Sequence, residues 1–128
     1  MNKVLVDTSI WIEYFKSSKK HTSLEPLIMD NQICINDLIL TEILPFLQMK
    51  NEFELIEALQ SIEKVQININ WNLIQQMQID NLRNGINKVG LSDLIILQNV
   101  IDNNLILYSI DKHFNLMNEI FKFQMFNE

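Results

Sequence analysis

The chain has 128 residues, of which 48% are hydrophobic and 20% are charged, and its formal net charge is −6 at pH 7. This composition predicts a single folded domain over residues 1–128 and excludes a largely disordered chain. The negative charge argues against a nucleic-acid binder held by a basic surface, but it is compatible with an enzyme that reaches phosphates through bound cations.

The predicted elements alternate between strands and helices. In chain order they are a strand at 3–7, helices at 9–16 and 24–30, a strand at 33–35, helices at 38–48 and 53–62, a strand at 65–69, helices at 71–83 and 92–102, a strand at 105–109, a helix at 112–117 and a strand at 121–125. Thr8 or Ser9, Asp37 and Ser92 are the expected N-caps. Strands separated by helices predict a parallel sheet covered on both faces.

Targeting and redox features indicate a cytoplasmic protein. The one cysteine, Cys34, lies in an apolar segment, so we expect a buried thiol and no disulfide within the chain. No apolar run approaches ~18 residues, so we expect no transmembrane helix and no membrane partner. The N-terminus shows no signal-peptide pattern.

Four carboxylates stand where apolar segments begin, end or are interrupted: Asp7, Glu42, Asp93 and Asp111. Each alone has an ordinary interpretation, as a turn or cap residue for Asp7 and Asp111, a favourable charge at a helix start for Asp93, and a solvated helix position for Glu42. Glu42, however, has apolar neighbours at i±1, i±3 and i±4, unlike a fully solvated face.

Several carboxylates beside buried apolar segments are energetically unfavourable unless a positive charge neutralises them, and a divalent cation usually supplies that charge. Ligands of parallel sheets gather at the carboxyl ends of the strands. Asp7 ends one predicted strand, Asp111 follows another, and Asp93 lies in the helix before the latter. If the two strands are neighbours, these acids converge, which points to metal-assisted chemistry on phosphates.

The remaining polar residues fit surface roles. His21 and His113 could each approach a substrate, but we expect them to be surface histidines. The sequence contains no Ser/His/Asp arrangement in register, no GxGxxG and no phosphate-binding loop ending in Lys-Ser or Lys-Thr.

Four segments, in order, resemble the acidic motifs of PIN-domain nucleases. They are VLVDTSIWI at 4–12, LTEIL at 40–44, NLRNGI at 81–86 followed by GLSDLII at 90–96, and ILYSIDKHF at 106–114. The resemblance spans nearly the whole chain and is strongest to the VapC toxins of bacterial toxin–antitoxin pairs. Ser109 stands where threonine is common, and Gln98 and Asn99 replace the small residues usual two turns after Asp93.

The resemblance implies a PIN-like three-layer α/β/α fold with a central, mostly parallel sheet of four to five strands. It also implies an endoribonuclease that hydrolyses RNA phosphodiester bonds with Mg²⁺ or Mn²⁺. The implied metal ligands are Asp7 and Asp93, with Asp111 as a direct or water-mediated ligand of the same ion or as a residue that completes a second metal site. Oxygen ligands of this kind are what Mg²⁺ demands.

On the same resemblance, Glu42 orients or deprotonates the attacking water. Thr8 and Ser109 are expected to hold carboxylates by hydrogen bonds, a common support for metal sites. Lys112 or Arg83 is a candidate for contact with a phosphate.

The segment 10–15, IWIEYF, is apolar nearly all round, more than one buried face requires. It is either a thoroughly buried helix or part of an exposed groove that binds an antitoxin segment or a second copy of the chain. The resemblance favours the groove. The expected partners are therefore an RNA substrate, a cognate antitoxin protein and a further copy in a homodimer or higher hetero-oligomer.

Two alternatives stay open at this point. A receiver-like phosphoacceptor domain has a similar length and an acidic magnesium site, but it needs adjacent acids after the first strand, where only Asp7 stands. The other alternative is a non-catalytic interaction module on the same fold.

Overall fold

A computed structural model describes residues 2–17 and 21–127. Four strands in these ranges form one sheet in the order β2-β1-β3-β4. The strands are β1 (Val4–Val6), β2 (Ile33–Cys34), β3 (Ile106–Tyr108) and β4 (Gln124–Met125). All three strand pairs are parallel, and Val6 of β1 stands opposite Tyr108 of β3. The prediction of a parallel sheet is therefore confirmed, with four strands.

Seven helices are assigned within the described ranges. They are α1 (Thr8–Lys16), α2 (Leu24–Met29), α3 (Asp37–Met49), α4 (Phe53–Gln60), α5 (Trp71–Arg83), α6 (Leu91–Asp102) and α7 (Lys112–Phe121). Helix α3 packs against α1 and α4, and α5 packs against α6 and α7. Helices thus cover the sheet on both faces, which confirms the three-layer arrangement.

The core is built around the two central strands. Val4, Leu5 and Val6 of β1 are fully buried, as is Leu107 of β3, because helices cover both faces of the sheet. Burial of each such side chain contributes about 1.5–3 kcal/mol relative to exposure. This rigid centre fixes where the loops after β1 and β3 begin, and so positions the candidate site.

The predicted strand at 65–69 is wrong. Only one isolated parallel bridge forms here, between Ile35 and Lys64, and residues 65–69 belong to no strand. Side-chain amides of α6 take the backbone groups that a neighbouring strand would bind: Asn99 Nδ2 donates to the Gln66 carbonyl at 3.1 Å, and Gln98 Nε2 donates to the Asn68 carbonyl at 2.7 Å.

The predicted N-caps of α3 and α6 are also wrong. Asn36, not Asp37, is the N-cap of α3, and its buried Oδ1 accepts from Ile39 N at 2.9 Å. The cap is fixed by the amide of Asn99, whose Oδ1 accepts from Asn36 Nδ2 at 2.9 Å. Asp37 is instead exposed. Helix α6 begins at Leu91 with Gly90 as its N-cap, two residues before the predicted cap Ser92.

The C-terminal end differs from the prediction in length. Helix α7 continues to Phe121 and stops at Lys122, which adopts a left-handed conformation with φ of 50°. Asn118 Oδ1 accepts from Phe123 N at 2.8 Å, which turns the chain back toward the sheet. Strand β4 is correspondingly shorter than the predicted segment.

Two smaller features concern Cys34 and membranes. Cys34 is a buried free thiol, and burial raises its pKa to about 12. Among the described residues, none of the helices has the length and apolar character needed to cross a bilayer.

Candidate metal centre

Asp7 lies at the carboxyl end of β1, where the parallel sheet brings it beside β3. Its backbone N–H donates to the Tyr108 carbonyl at 2.9 Å, continuing the pairing of the two strands by one residue. Asp7, rather than Thr8 or Ser9, occupies the N-cap position of α1. The strand end and the helix start therefore hold this residue from both sides.

The Asp7 carboxylate is held by two hydroxyl groups. Ser109 Oγ donates to Asp7 Oδ2 at 2.8 Å, and Ser9 Oγ donates to the same oxygen at 2.9 Å. Because both bonds use Oδ2, a ligand would take Oδ1. Ser9 was expected only as a cap; its place two residues after Asp7, in the first helical turn, is the signal that could have revealed this contact.

Burial raises the pKa of Asp7 above its ordinary value, and the nearby charge of Asp111 adds to this. The hydrogen bonds from Ser109 and Ser9 act in the opposite direction, because they stabilise the ionised form. Asp7 is 6% exposed, so its charge is costly unless a cation lies nearby.

Glu42 reaches the same region from α3, the helix that follows β2. It is exposed, and Thr8 Oγ1 donates to its Oε1 at 2.8 Å. Thr8 follows Asp7 directly, so this bond ties the Glu42 carboxylate to the start of α1. The apolar neighbours of Glu42 thus pack α3 onto the core while its carboxylate stays open to solvent.

Asp93 is the third residue of α6 and is half-buried. Its pKa is raised to about 6, first by burial and then by the charges of Asp111, Asp7 and Glu42, while His113 opposes the shift. The electrostatic coupling of Asp93 to each of the other acids means that the fold brings all four together.

Asp111 has a structural role as well as a place in the cluster. It is the N-cap of α7, and its Oδ1 accepts from His113 N at 2.9 Å. Its own backbone N–H donates to Ser109 Oγ at 3.0 Å. Asp111 can therefore be both the N-cap of α7 and a member of the acid cluster, because the cap uses only one of its carboxylate oxygens.

His113 was expected at the surface, and the structure places it closer to the acids than that expectation implied. It is partly buried rather than a surface residue, and it joins Asp93 and Asp111 in a group that offers three ligand atoms within 4.8 Å of one another. Carboxylate oxygens and an imidazole nitrogen form a donor set that fits a divalent cation. Its position two residues after Asp111, in the same helical turn, was the available signal.

The two basic residues that were candidates for contact with a phosphate do not affect the acid cluster. Lys112 is exposed at the first position of α7, and Arg83 is exposed at the last position of α5. Neither contributes to the pKa shifts of Asp7 and Asp93. The repulsion between the carboxylates is therefore not offset by these side chains.

A second feature is an apolar groove of about 300 Å³ between α1, α2 and α4. Its lining includes Trp11, Tyr14, Phe15, Ile28, Leu55, Ala58, Leu59 and Ile62. Ile10 and Trp11 are buried, whereas Tyr14 and Phe15 are only partly buried. The sequence left open whether the 10–15 segment is a buried helix or part of an exposed groove. In the structure, one side of this helix packs into the core and the other borders the groove.

The fold and the acid cluster define a parallel α/β domain with a carboxylate centre at the carboxyl edge of its sheet. The chain belongs to the PIN-domain family, whose profile matches residues 4–119. This membership excludes the receiver-like alternative.

The solved structures that share the fold include two VapBC complexes. A chain of the DNA-bound VapBC from Salmonella typhimurium superposes with a TM-score of 0.73 at 18% identity, covering 99% of this chain and 98% of that one. A chain of VapBC2 from Rickettsia felis, bound to a DNA fragment from its promoter, gives 0.75 at 18% identity, with 98% coverage of both. A search of curated protein sequences found no match.

Proposed function

We propose that this protein is a metal-dependent endoribonuclease and the toxin of a VapC-type toxin–antitoxin pair. The observation that carries the proposal is geometric: within a PIN domain, Asp93, Asp111 and His113 each offer a ligand atom within 4.8 Å of the others, and Thr8, next to Asp7, binds Glu42. Burial, and then repulsion by the other acids, raises the pKa of Asp93 to about 6, and such perturbed carboxylates are typical of functional sites such as cation-binding centres.

In this proposal Asp7, Asp93 and Asp111 hold the cation. When bound, Mg²⁺ or Mn²⁺ would supply a water of lowered pKa and polarise a phosphoryl oxygen. Ser109 and Ser9 fix Asp7 through its Oδ2 and so orient its other oxygen toward the site. The α7 cap orients Asp111 in the same way.

Glu42 acts on the attacking water. Its carboxylate is exposed, and the bond from Thr8 fixes it to the start of α1. A carboxylate held in this way can accept a proton from a water molecule that approaches the phosphate. Lys112, next to Asp111 and exposed, is the basic side chain in the best position to contact a phosphate of the RNA.

The experiment that tests the proposal is cleavage of a mixed-sequence RNA by the purified chain. We expect cleavage with Mg²⁺ or Mn²⁺, none with EDTA, and none of a DNA strand of the same sequence. Metal binding without any cleavage of transfer, ribosomal or messenger RNA would instead favour the non-catalytic module.

The apolar groove is where we place the antitoxin. The two structural neighbours are VapBC assemblies, and the groove between α1, α2 and α4 offers aromatic and aliphatic walls that suit an apolar helix or extended segment.

We also propose that the chain forms a homodimer, within a higher hetero-oligomer when the antitoxin is present. Helix α5 exposes Trp71, Ile79 and Leu82, each at least 40% accessible, and their spacing puts them on neighbouring parts of one face. Sedimentation velocity should show a dimer for the purified chain. Leu82→Glu should shift it to monomer, and an unchanged dimer would place the interface elsewhere.

A further inference from the structure

We propose that His113 supplies an imidazole nitrogen to the cation, so that the centre binds Mn²⁺ in preference to Mg²⁺. The inference rests on the proposed function, because it takes a divalent cation to lie among the acids. It adds a ligand beyond the four carboxylates, and a metal preference that follows from that ligand.

Geometry is the first support. One ligand atom each from His113, Asp93 and Asp111 lie within 4.8 Å of one another. Ligand atoms of one octahedral ion at about 2.1 Å from the metal lie about 3 Å apart when adjacent and about 4 Å apart when opposite. Small side-chain rotations are therefore enough to bring the three atoms around one ion, with the backbone left in place.

The imidazole is also held at the site by local structure. The His113 side chain is 21% exposed, and its Nδ1 lies 3.4 Å from Asp111 Oδ1. The same Oδ1 accepts from the His113 backbone N–H, so the first turn of α7 fixes the two residues relative to each other. Since the cap occupies Oδ1, the other oxygen of Asp111 is the one left for a cation.

The charge of the cluster gives a reason for a nitrogen ligand here. Asp93 already has a pKa raised to about 6, partly by the charges of Asp111, Asp7 and Glu42. A fifth carboxylate would increase this repulsion, whereas a neutral imidazole adds a ligand without adding negative charge.

Ligand chemistry then predicts the preference. Mg²⁺ takes oxygen ligands and keeps most of its water, whereas imidazole is a good ligand for transition metals. A centre that offers carboxylates and one imidazole should bind Mn²⁺ more tightly than an all-carboxylate centre does. For Mg²⁺ the imidazole should make little difference.

The test is pulsed electron paramagnetic resonance of the full chain loaded with Mn²⁺ alone. We expect modulation from a directly bound nitrogen in the wild type, its loss in His113→Gln, and its retention in His21→Gln, which replaces the chain's other histidine. Calorimetry should show that His113→Gln weakens Mn²⁺ binding about tenfold or more and Mg²⁺ binding less than about threefold. Circular dichroism should show that both variants are folded.

The outcomes separate this inference from the proposed function. If the wild type binds Mn²⁺ without nitrogen modulation, or if His113→Gln leaves the ratio of the two affinities unchanged, His113 is not a ligand, while the carboxylate centre stands. If the wild type binds no Mn²⁺, or if Asp93→Asn binds it as tightly as the wild type, the metal centre itself is wrong.

Discussion

At the level of single residues, burial raises the pKa of both Asp7 and Asp93, so keeping these carboxylates ionised costs folding free energy. Residues that weaken a fold in this way are expected where function requires them. Asp7 and Asp93 are therefore the residues whose replacement separates activity from stability most clearly.

Asp7→Asn and Asp93→Asn should each reduce metal-dependent RNA cleavage by about 100-fold or more, because each removes a charged ligand that we propose for the cation. The measurement is the initial rate of cleavage at saturating Mg²⁺ or Mn²⁺. Asp30→Asn is the matched control, since Asp30 is exposed at the end of α2, and its rate should equal that of the wild type. Retained turnover in Asp7→Asn or Asp93→Asn would remove that residue from the site.

The metal-free protein should lose stability as pH rises. The pKa of Asp93 is about 6 in the folded chain against an ordinary value of 3.8, so the native state binds more protons between these values. Stability therefore falls as pH increases from about 4 to about 6. In EDTA at pH 7, Asp93→Asn should melt about 2–4 °C above the wild type. A lower melting temperature for this variant would mean that Asp93 is stabilised by a group other than a cation.

The candidate acids could be found from the sequence because each begins, ends or interrupts an apolar segment, and such a position can be read from the order of residues alone. Ser9 and His113 could not be assigned to the site from the sequence in this way. Serine and histidine are common beside helix starts, and only the distances to Asp7 and Asp111 separate these two from ordinary polar residues.

At the level of elements, α6 does more than carry Asp93. Its Asn99 amide joins the α3 cap to the 66–70 segment, donating to the Gln66 carbonyl and accepting from Asn36. Gln98 holds the same segment, with its Oε1 accepting from Asn70 N at 3.0 Å. Two buried amides thus fix a stretch of chain that has no strand partner.

Asn99→Ala should destabilise the fold by about 2–3 kcal/mol, because it leaves the buried Asn36 amide unpaired and frees the Gln66 carbonyl. The free energy of unfolding from urea denaturation, followed by circular dichroism, is the measurement. Asn115→Ala is the control, since Asn115 is exposed on α7. Equal stability of the wild type and Asn99→Ala would show that water replaces the amide at no cost.

This network explains why the 65–69 strand was predicted and does not form. Val65 and Ile67 are half-buried and Gln66 and Asn68 exposed, so the alternation that suggested a strand reflects real burial. The alternation could not reveal that side-chain amides of α6, about 30 residues later, would bind the backbone carbonyls of this segment in place of a neighbouring strand. Pairing partners distant in sequence are not encoded in a local pattern.

The groove between α1, α2 and α4 yields an element-level prediction. Ala58→Arg should weaken binding of the antitoxin about tenfold or more, because a long charged side chain would enter an apolar groove, and should leave RNA cleavage unchanged. The measurement is the dissociation constant for the small protein encoded by the adjacent gene. Leu116→Arg, on an exposed position of α7, is the control. Undiminished affinity in Ala58→Arg would place the antitoxin on another surface.

At the level of the whole molecule, the site exists because neighbouring parallel strands end at the same edge. The alternation of strands and helices could be predicted from the sequence, and it implied a parallel sheet. The order of the strands could not: nothing local to Val6 or Tyr108 says that they stand opposite each other. That one pairing sets Asp7 beside Ser109, and the turns that follow bring in Asp111.

The account depends on one cation being held by carboxylates from separate parts of the chain. The most direct measurement is a crystal structure grown with Mn²⁺, with the ion located by its anomalous scattering. The account predicts a single strong peak within coordination distance of Asp7 and Asp93, about 2.0–2.3 Å from their oxygens, with Asp111 bound directly or through water. A peak elsewhere on the molecule, or none at a saturating concentration, would contradict it.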